Sequence, residues 1–153
     1  MGRLLVSGGE DGTLVLNREC SETFQRVASE SLGAPVADIA TIGDLLGVAL
    51  LDDRIRGYRV SAQGALTRLF ERNIDLPVSA CLARAGTRPE LIVGTFDGRI
   101  VAFDGESGAD VETIASGCGG PIRALAAGAE LVTGKQMVAA AMSDRVVLYE
   151  LFA

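Results

Sequence analysis

The chain has 153 residues and a mass of 15.9 kDa, with 48% apolar and 22% charged residues. That is one globular domain, not a disordered or collagenous chain. A net charge of −6 without any His or Trp argues against a phosphate-binding footprint, His-based acid–base or metal chemistry, and a base-stacking platform.

In chain order, the first run is LLVSGGEDGTLVL (4–16). Its apolar start, Leu4-Leu5-Val6, is too short for a signal peptide, and Val6 stands where myristoylation wants Ser or Thr. Similar runs follow as LLGVALLDDRIRGY (45–58), LIVGTFDGRIVAF (91–103) and MVAAAMSDRVVLY (137–149). Each is an apolar strand, a two-residue polar turn and a second apolar strand. The turns are Asp11-Gly12, Asp52-Asp53, Asp97-Gly98 and Ser143-Asp144. Asp-Gly between such runs predicts a hairpin, because a tight turn needs positive φ. Turn-to-turn steps of 41, 45 and 46 residues match a β-propeller with one blade per period.

A second series has the same period. Pro35-Val36, Pro77-Val78 and Pro121-Ile122 each open a short apolar strand, at steps of 42 and 44 residues. Proline suits a first strand position, where no ladder donor is lost. Residues 22–28, 65–71 and 109–115 alternate apolar and charged residues, as outer strands at a wet edge do. The expected fold is therefore all-β: a β-propeller of about four WD40-like blades and about 14 strands. The blades fall near 1–33, 34–75, 76–119 and 120–153, in one partial propeller domain spanning 1–153. The first blade lacks its inner strand and the last its outer strand, so both ends cut within a blade. The arc is a piece of a larger propeller, closes with another copy or chain, or is a small closed ring. An open arc on its own would associate or aggregate through its bare edges.

Chemical motifs are scarce. Cys20, Cys81 and Cys118 have no CxxC spacing and read as reduced thiols of an intracellular protein. Residues 128–136 (GAELVTGKQ) miss the phosphate-loop spacing by one residue and end in Gln136 where Ser or Thr would hold magnesium. Gly8-Gly9-Glu10-Asp11-Gly12 is a turn, not a dinucleotide fingerprint. The turn acids Glu10, Asp11, Asp52, Asp53, Asp97 and Asp144 recur once per blade and so lie apart, without a calcium-loop run. No run reaches the ~18 apolar residues of a membrane span. Among 13 Arg and the single Lys135, Arg54, Arg56 and Arg59 lie close together, with Arg54 and Arg56 on one strand face. They are the candidate partner contact; a solvated, salt-bridged strand face is the plainer reading. No catalytic, cofactor or metal residues are assigned.

The run Arg88-Pro89-Glu90-Leu91-Ile92-Val93-Gly94, then Asp97-Gly98-Arg99-Ile100, resembles a strand signature of the amino-terminal propeller of the BBSome subunit 2 (Bardet–Biedl syndrome 2) family. LLVSGGEDGTLVL, residues 43–50 (GDLLGVAL), Ser107-Gly108 and Tyr149-Glu150-Leu151 resemble neighbouring segments of that family in order, over about residues 3–152. Gly2-Arg3 stands where the family has Glu before Leu-Leu, and the last turn, Ser143-Asp144-Arg145, has no Gly. A generic WD40-like propeller is the alternative, although its Trp-Asp and Gly-His signatures are missing.

The resemblance implies a non-catalytic interaction scaffold in a ciliary coat complex, acting in ciliogenesis and membrane-protein transport. It implies partners among the other subunits of a BBSome-like complex, with peripheral membrane association through that complex. Its location would be cytoplasmic, at the cilium, basal body or ciliary membrane. The alternatives are a scaffold of another complex, or an enzyme of quinoprotein or hydrolase type at the propeller mouth. No His, no Trp and no paired carboxylates speak against the enzyme. Elemental analysis of the purified chain is expected to find no stoichiometric transition metal; one zinc or iron per chain would contradict this reading.

Overall fold

A computed structural model describes residues 3–74, 78–84, 88–117, 119–129 and 136–151. Among these the chain forms fourteen strands and no helix. The first sheet holds β1 (Leu4–Gly8), β2 (Thr13–Cys20) and β3 (Thr23–Ser31). The second holds β4 (Val36–Ile42), β5 (Leu45–Leu50), β6 (Arg54–Val60) and β7 (Leu66–Asn73). The third holds β8 (Val78–Arg84), β9 (Glu90–Thr95), β10 (Ile100–Asp104) and β11 (Asp110–Ala115). The fourth holds β12 (Ala124–Ala129), β13 (Gln136–Ala141) and β14 (Val146–Glu150). Every sheet is an antiparallel meander in chain order. The first two outer strands run two or three residues past their expected ends, to Ser31 and Asn73.

The hairpin turns differ from expectation. Gly9 N donates to Thr13 O at 3.2 Å and Gly12 N to Gly9 O at 3.1 Å, so Glu10, Asp11 and Gly12 form a three-residue loop. Thr95 and Arg99 enclose Phe96, Asp97 and Gly98 in the same way. Only the last loop residue is left-handed, with φ 72° at Gly12, 68° at Asp53 and 86° at Gly98. A two-residue turn of the Asn-Gly type needs two positive φ values; a type I turn closed by one left-handed residue needs one. Asp53 can stand in for Gly because Asp tolerates that conformation. Of the four Asp-containing turns, Ser143-Asp144 alone is a two-residue turn, with Met142 N donating to Arg145 O at 2.9 Å.

β4 and β8 open at Val36 and Val78, as the proline series predicts, and two members of the series have a further role. Val36 N donates to Gly9 O and Ile122 N to Thr95 O, both at 3.1 Å. Val36 and Ile122 thus tie their sheets to the hairpin loop of the sheet before. Ile122 is fully buried, and regular pairing in the last sheet starts only at Ala124. Pro77, the third of the series, lies outside the described residues.

Strand alternation gives each sheet one face toward the sheet before it and one toward the sheet after it. Three apolar clusters fill the three boundaries. Leu14 of the first sheet meets Leu46, Val48, Leu50 and Tyr58. Ala49 and Ile55 of the second meet Leu91, Val93 and Phe103. Ile92, Ile100 and Ala102 of the third meet Ile122, Val138 and Ala140. Approach is close: a Cβ on Gly47 would lie 2.3 Å from Leu91 Cδ1. Contacts of this extent join the first sheet to the second, the second to the third and the third to the fourth, and none joins the fourth to the first among the described residues.

Ile100 is fully buried at the boundary between the third and fourth sheets. Ile100→Ala is therefore expected to destabilise the chain by about 2–5 kcal/mol in urea unfolding; a loss below about 1 kcal/mol would mean the sheets do not pack as described.

Candidate interaction site

The Arg-rich strand β6 was the sequence-level candidate. Arg54 and Arg56 do share a face, since both reach Glu71 on β7. Arg54 also holds Asp52, with its Nε 2.7 Å from Oδ2. Arg56 is only 5% exposed and lies inside the boundary between the first and second sheets. Its Nε donates to Glu71 Oε2, its Nη2 donates to Leu32 O at 2.9 Å, and Glu30 lies 3.9 Å from Nη1. Tyr58 donates to Glu30 Oε1 at 3.0 Å. Burial, with Glu30 beside it, pushes the Tyr58 hydroxyl up to about 12, against the pull of Arg56. Arg59 points to the other face, bridging to Asp44 at 3.2 Å and to Glu106 of the third sheet. The three arginines therefore divide between two sheet boundaries.

Other arginines fasten sheets in the same way. Arg18 Nη2 donates to Ala62 O at 2.9 Å. Arg72 donates to Gly108 O at 2.7 Å, bridges Asp110 at 3.2 Å and lies 5.5 Å from the centre of the Phe103 ring. The planar guanidinium can meet carbonyl, carboxylate and ring together, which an ammonium cannot.

The turn acids serve their own loops. Asp11 Oδ1 accepts from Thr13 N at 2.9 Å. Asp97 accepts from the Thr95 hydroxyl and pairs with Arg99 at 2.8 Å. Asp104 Oδ1 accepts from Ser107 N and Oγ, both at 2.8 Å. The Thr95 and Ser107 hydrogen bonds hold the Asp97 and Asp104 carboxyls below their usual range, against burial. No group of three or more Cys, Asp or Glu side chains among the described residues could hold a metal ion. Cys20 is exposed and free. The Cys81 side chain, residue 118 and residues 130–135 of the phosphate-loop look-alike lie outside the description.

Sequence reasoning missed Leu51 and Phe96. Both open the hairpin loop of their sheet, at matching positions on neighbouring sheets, and they are 52% and 39% exposed. Arg123 lies 5.8 Å from the centre of the Phe96 ring, and Arg54 and Arg99 stand at the far ends of the same two loops. Exposed apolar and aromatic tips ringed by arginines have the composition of a protein contact. The readable signal was a large apolar residue directly before each Asp of these loops. At the opposite end, a groove of ≈ 350 Å³ between the first two sheets is lined by Leu4, Val6, Leu16, Leu46 and Val60.

Stacked antiparallel meanders of three or four strands, joined through their faces, define a β-propeller, and solved structures bear the class out. The crystal structure of BBS1N in complex with ARL6DN superposes with a TM-score of 0.74 at 15% identity, over 100% of this chain and 44% of that one. Sqt1 of Saccharomyces cerevisiae gives 0.79 at 15% identity, over 98% of this chain and 41% of that one. The computationally designed Ika4 protein gives 0.73 at 15% identity, over 99% and 88%. The chain thus spans less than half the length of the BBS1N and Sqt1 chains. No family model and no curated protein matches the sequence.

Burial opposes ionisation of Glu71, but hydrogen bonding by Arg56 and the charges of Arg56, Arg54 and Arg68 outweigh it and hold its pKa below the usual carboxylate range. The stability this provides is complete above the unfolded-state value of about 4.3 and is lost as pH falls through the lower folded value. Glu71→Gln should flatten the acid limb of the stability–pH profile. Arg56→Ala should cost about 2–3 kcal/mol at neutral pH, below the loss at a fully buried pair because Glu71 keeps some water contact. Denaturant melts from pH 3 to pH 7 check both; an unchanged acid limb in Glu71→Gln would break the assignment.

Proposed function

We propose that the chain is a non-catalytic protein-interaction scaffold built of propeller blades, and that its contact surface is the hairpin-loop end carrying Leu51 and Phe96. The observation that supports this is the contrast between that end and the rest. Asp11, Asp52 and Asp97 are held by hydrogen bonds within their own loops, while two apolar tips beside arginines stay exposed. Arg54 belongs to the contact as a flanking charge, and Arg56 acts from inside as a brace; Arg59, held by Asp44 and Glu106 at the other end of β6, lies outside it. Partners are proteins of mixed apolar and acidic surface, matched to Arg54, Arg99 and Arg123.

Within that reading, the sequence resemblance to the BBSome subunit 2 family favours a subunit of a BBSome-like ciliary coat, acting in ciliary membrane-protein traffic. The structural likeness to BBS1N, crystallised with ARL6DN, supports the same direction. No helix among the described residues is long and apolar enough to cross a membrane, and membrane association would come through the complex. A scaffold of another complex is the second reading, favoured by the likeness to Sqt1.

Co-purification of the tagged chain with the BBSome subunits of its own organism tests the proposal. Those subunits are expected to be retained by the wild type and lost, with the circular dichroism unchanged, in Leu51→Asp/Phe96→Ala. Retention of a different complex that the double variant also releases would establish the second reading. Binding that is indifferent to the double variant would overturn the site.

A further inference from the structure

Large apolar side chains are exposed in four places among the described residues. Leu51 and Phe96 are at the loop tips, and Val111 is on the outer strand β11. Leu5 and Phe24 are on the first sheet, and Val146 and Leu148 are on the fourth. The last two places are the outward faces of the two end sheets, and their register shows what they are for.

Aligned on their hairpin ends, β10 pairs Ile100 with Gly94 and Ala102 with Ile92, and β14 pairs Val146 with Ala141 and Leu148 with Ala139. Val146 and Leu148 therefore occupy the positions of Ile100 and Ala102. In the first sheet those positions belong to Leu14 and Leu16, paired with Gly8 and Val6. Ile100, Ala102, Leu14 and Leu16 are at most 2% exposed, because a following sheet covers them, while Val146 and Leu148 are 65% and 64% exposed. The two-residue turn at Ser143-Asp144 removes one loop residue yet leaves this face in phase, because the closing pairs Met142–Arg145 and Thr95–Arg99 directly precede it in both sheets.

The complementary face lies on the first sheet. Leu91 of the third sheet packs on Gly47 of the second; in register, Leu5 corresponds to Leu91 and Ala139 to Gly47. Leu5 and Asn17 are paired, as are Ser7 and Val15, so Leu5 and Val15 share the face turned away from the second sheet. Phe24 and Arg26, opposite Glu19 and Asn17, extend that face at the end away from the hairpin loop. Glu150 extends the Val146–Leu148 face at the same end, where it would meet Arg26 and the Arg3–Glu19 pair of the first sheet.

We propose that the Val146–Leu148 face of the fourth sheet docks on the Leu5–Val15 face of the first sheet in a second copy of this chain. Each chain carries both halves of the contact, so two copies joined head to tail at both junctions close a ring of eight sheets. That is within the four-to-eight range of propellers. One copy covers 44% of the BBS1N chain and 41% of Sqt1, so two copies supply most of such a chain's length. The inference does not depend on the scaffold reading.

Light scattering coupled to size exclusion, on the 153-residue chain at tens of micromolar, is expected to give twice 15.9 kDa. Leu148→Glu alone and Val15→Lys alone should each halve the mass with circular dichroism unchanged. Mixed in equal amounts, the two variants should recover the doubled mass, because one junction is then wild type and the other pairs Lys with Glu. Val146→Glu repeats the first arm if Leu148→Glu does not fold. A wild-type monomer would overturn the proposal and leave the face to further sheets or another protein. A dimer broken by Leu148→Glu but not by Val15→Lys would overturn it in favour of two fourth sheets packed face to face, and a dimer indifferent to both would overturn it outright.

Discussion

Burial of one sheet's apolar face against the next is the interaction on which the rest of the chain depends. No sheet here has a core of its own. Each is a single layer whose two faces must both be covered, and the three clusters lie between layers. The alternation of small and large residues follows from that need. Gly47 and Gly94 allow Leu91 and Ile122 to sit almost on the neighbouring backbone. The post-proline amides add directed bonds at the same boundaries, so apolar packing and hydrogen bonding select one stacking order.

Charge is organised around the same seams. Arginines sit where strands of adjacent sheets leave carbonyls and carboxylates facing each other, at Ala62, Leu32, Gly108, Asp110 and Glu106. Exposed pairs of this kind add little to stability individually. Arg56 differs because its guanidinium has been taken out of water and is satisfied on several sides. Its value is directional, since it locks β6 to Leu32 and to β7.

The proposed interaction role rests on what this architecture leaves over. Strands and faces are consumed by packing, and acidic loops by their own amides. Chemically distinctive surface remains at the loop tips of the second and third sheets and at the two bare end faces. Neither is a pocket that orders a small molecule; both are suited to another protein surface.

Much of the fold was legible in the sequence because its causes are local. The period of Asp-containing turns, the alternation within 91–103 and the prolines at 35 and 77 depend on residues a few positions apart, and the strands fall where those signals put them. The loop size at Gly12 and Gly98 was misread, because one left-handed residue leaves the same Asp-Gly trace as two. Position in the stack was not legible. Arg54, Arg56 and Arg59 look alike in sequence, yet one is internal, one lies beside it and one faces the opposite boundary. Val146 and Leu148 have the pattern of Ile100 and Ala102, and they are exposed because none of the described sheets covers them. Sequence determined the strands, their pairing into hairpins and the repeat; the tertiary structure decided which faces are covered, because covering a face takes a partner dozens of residues away.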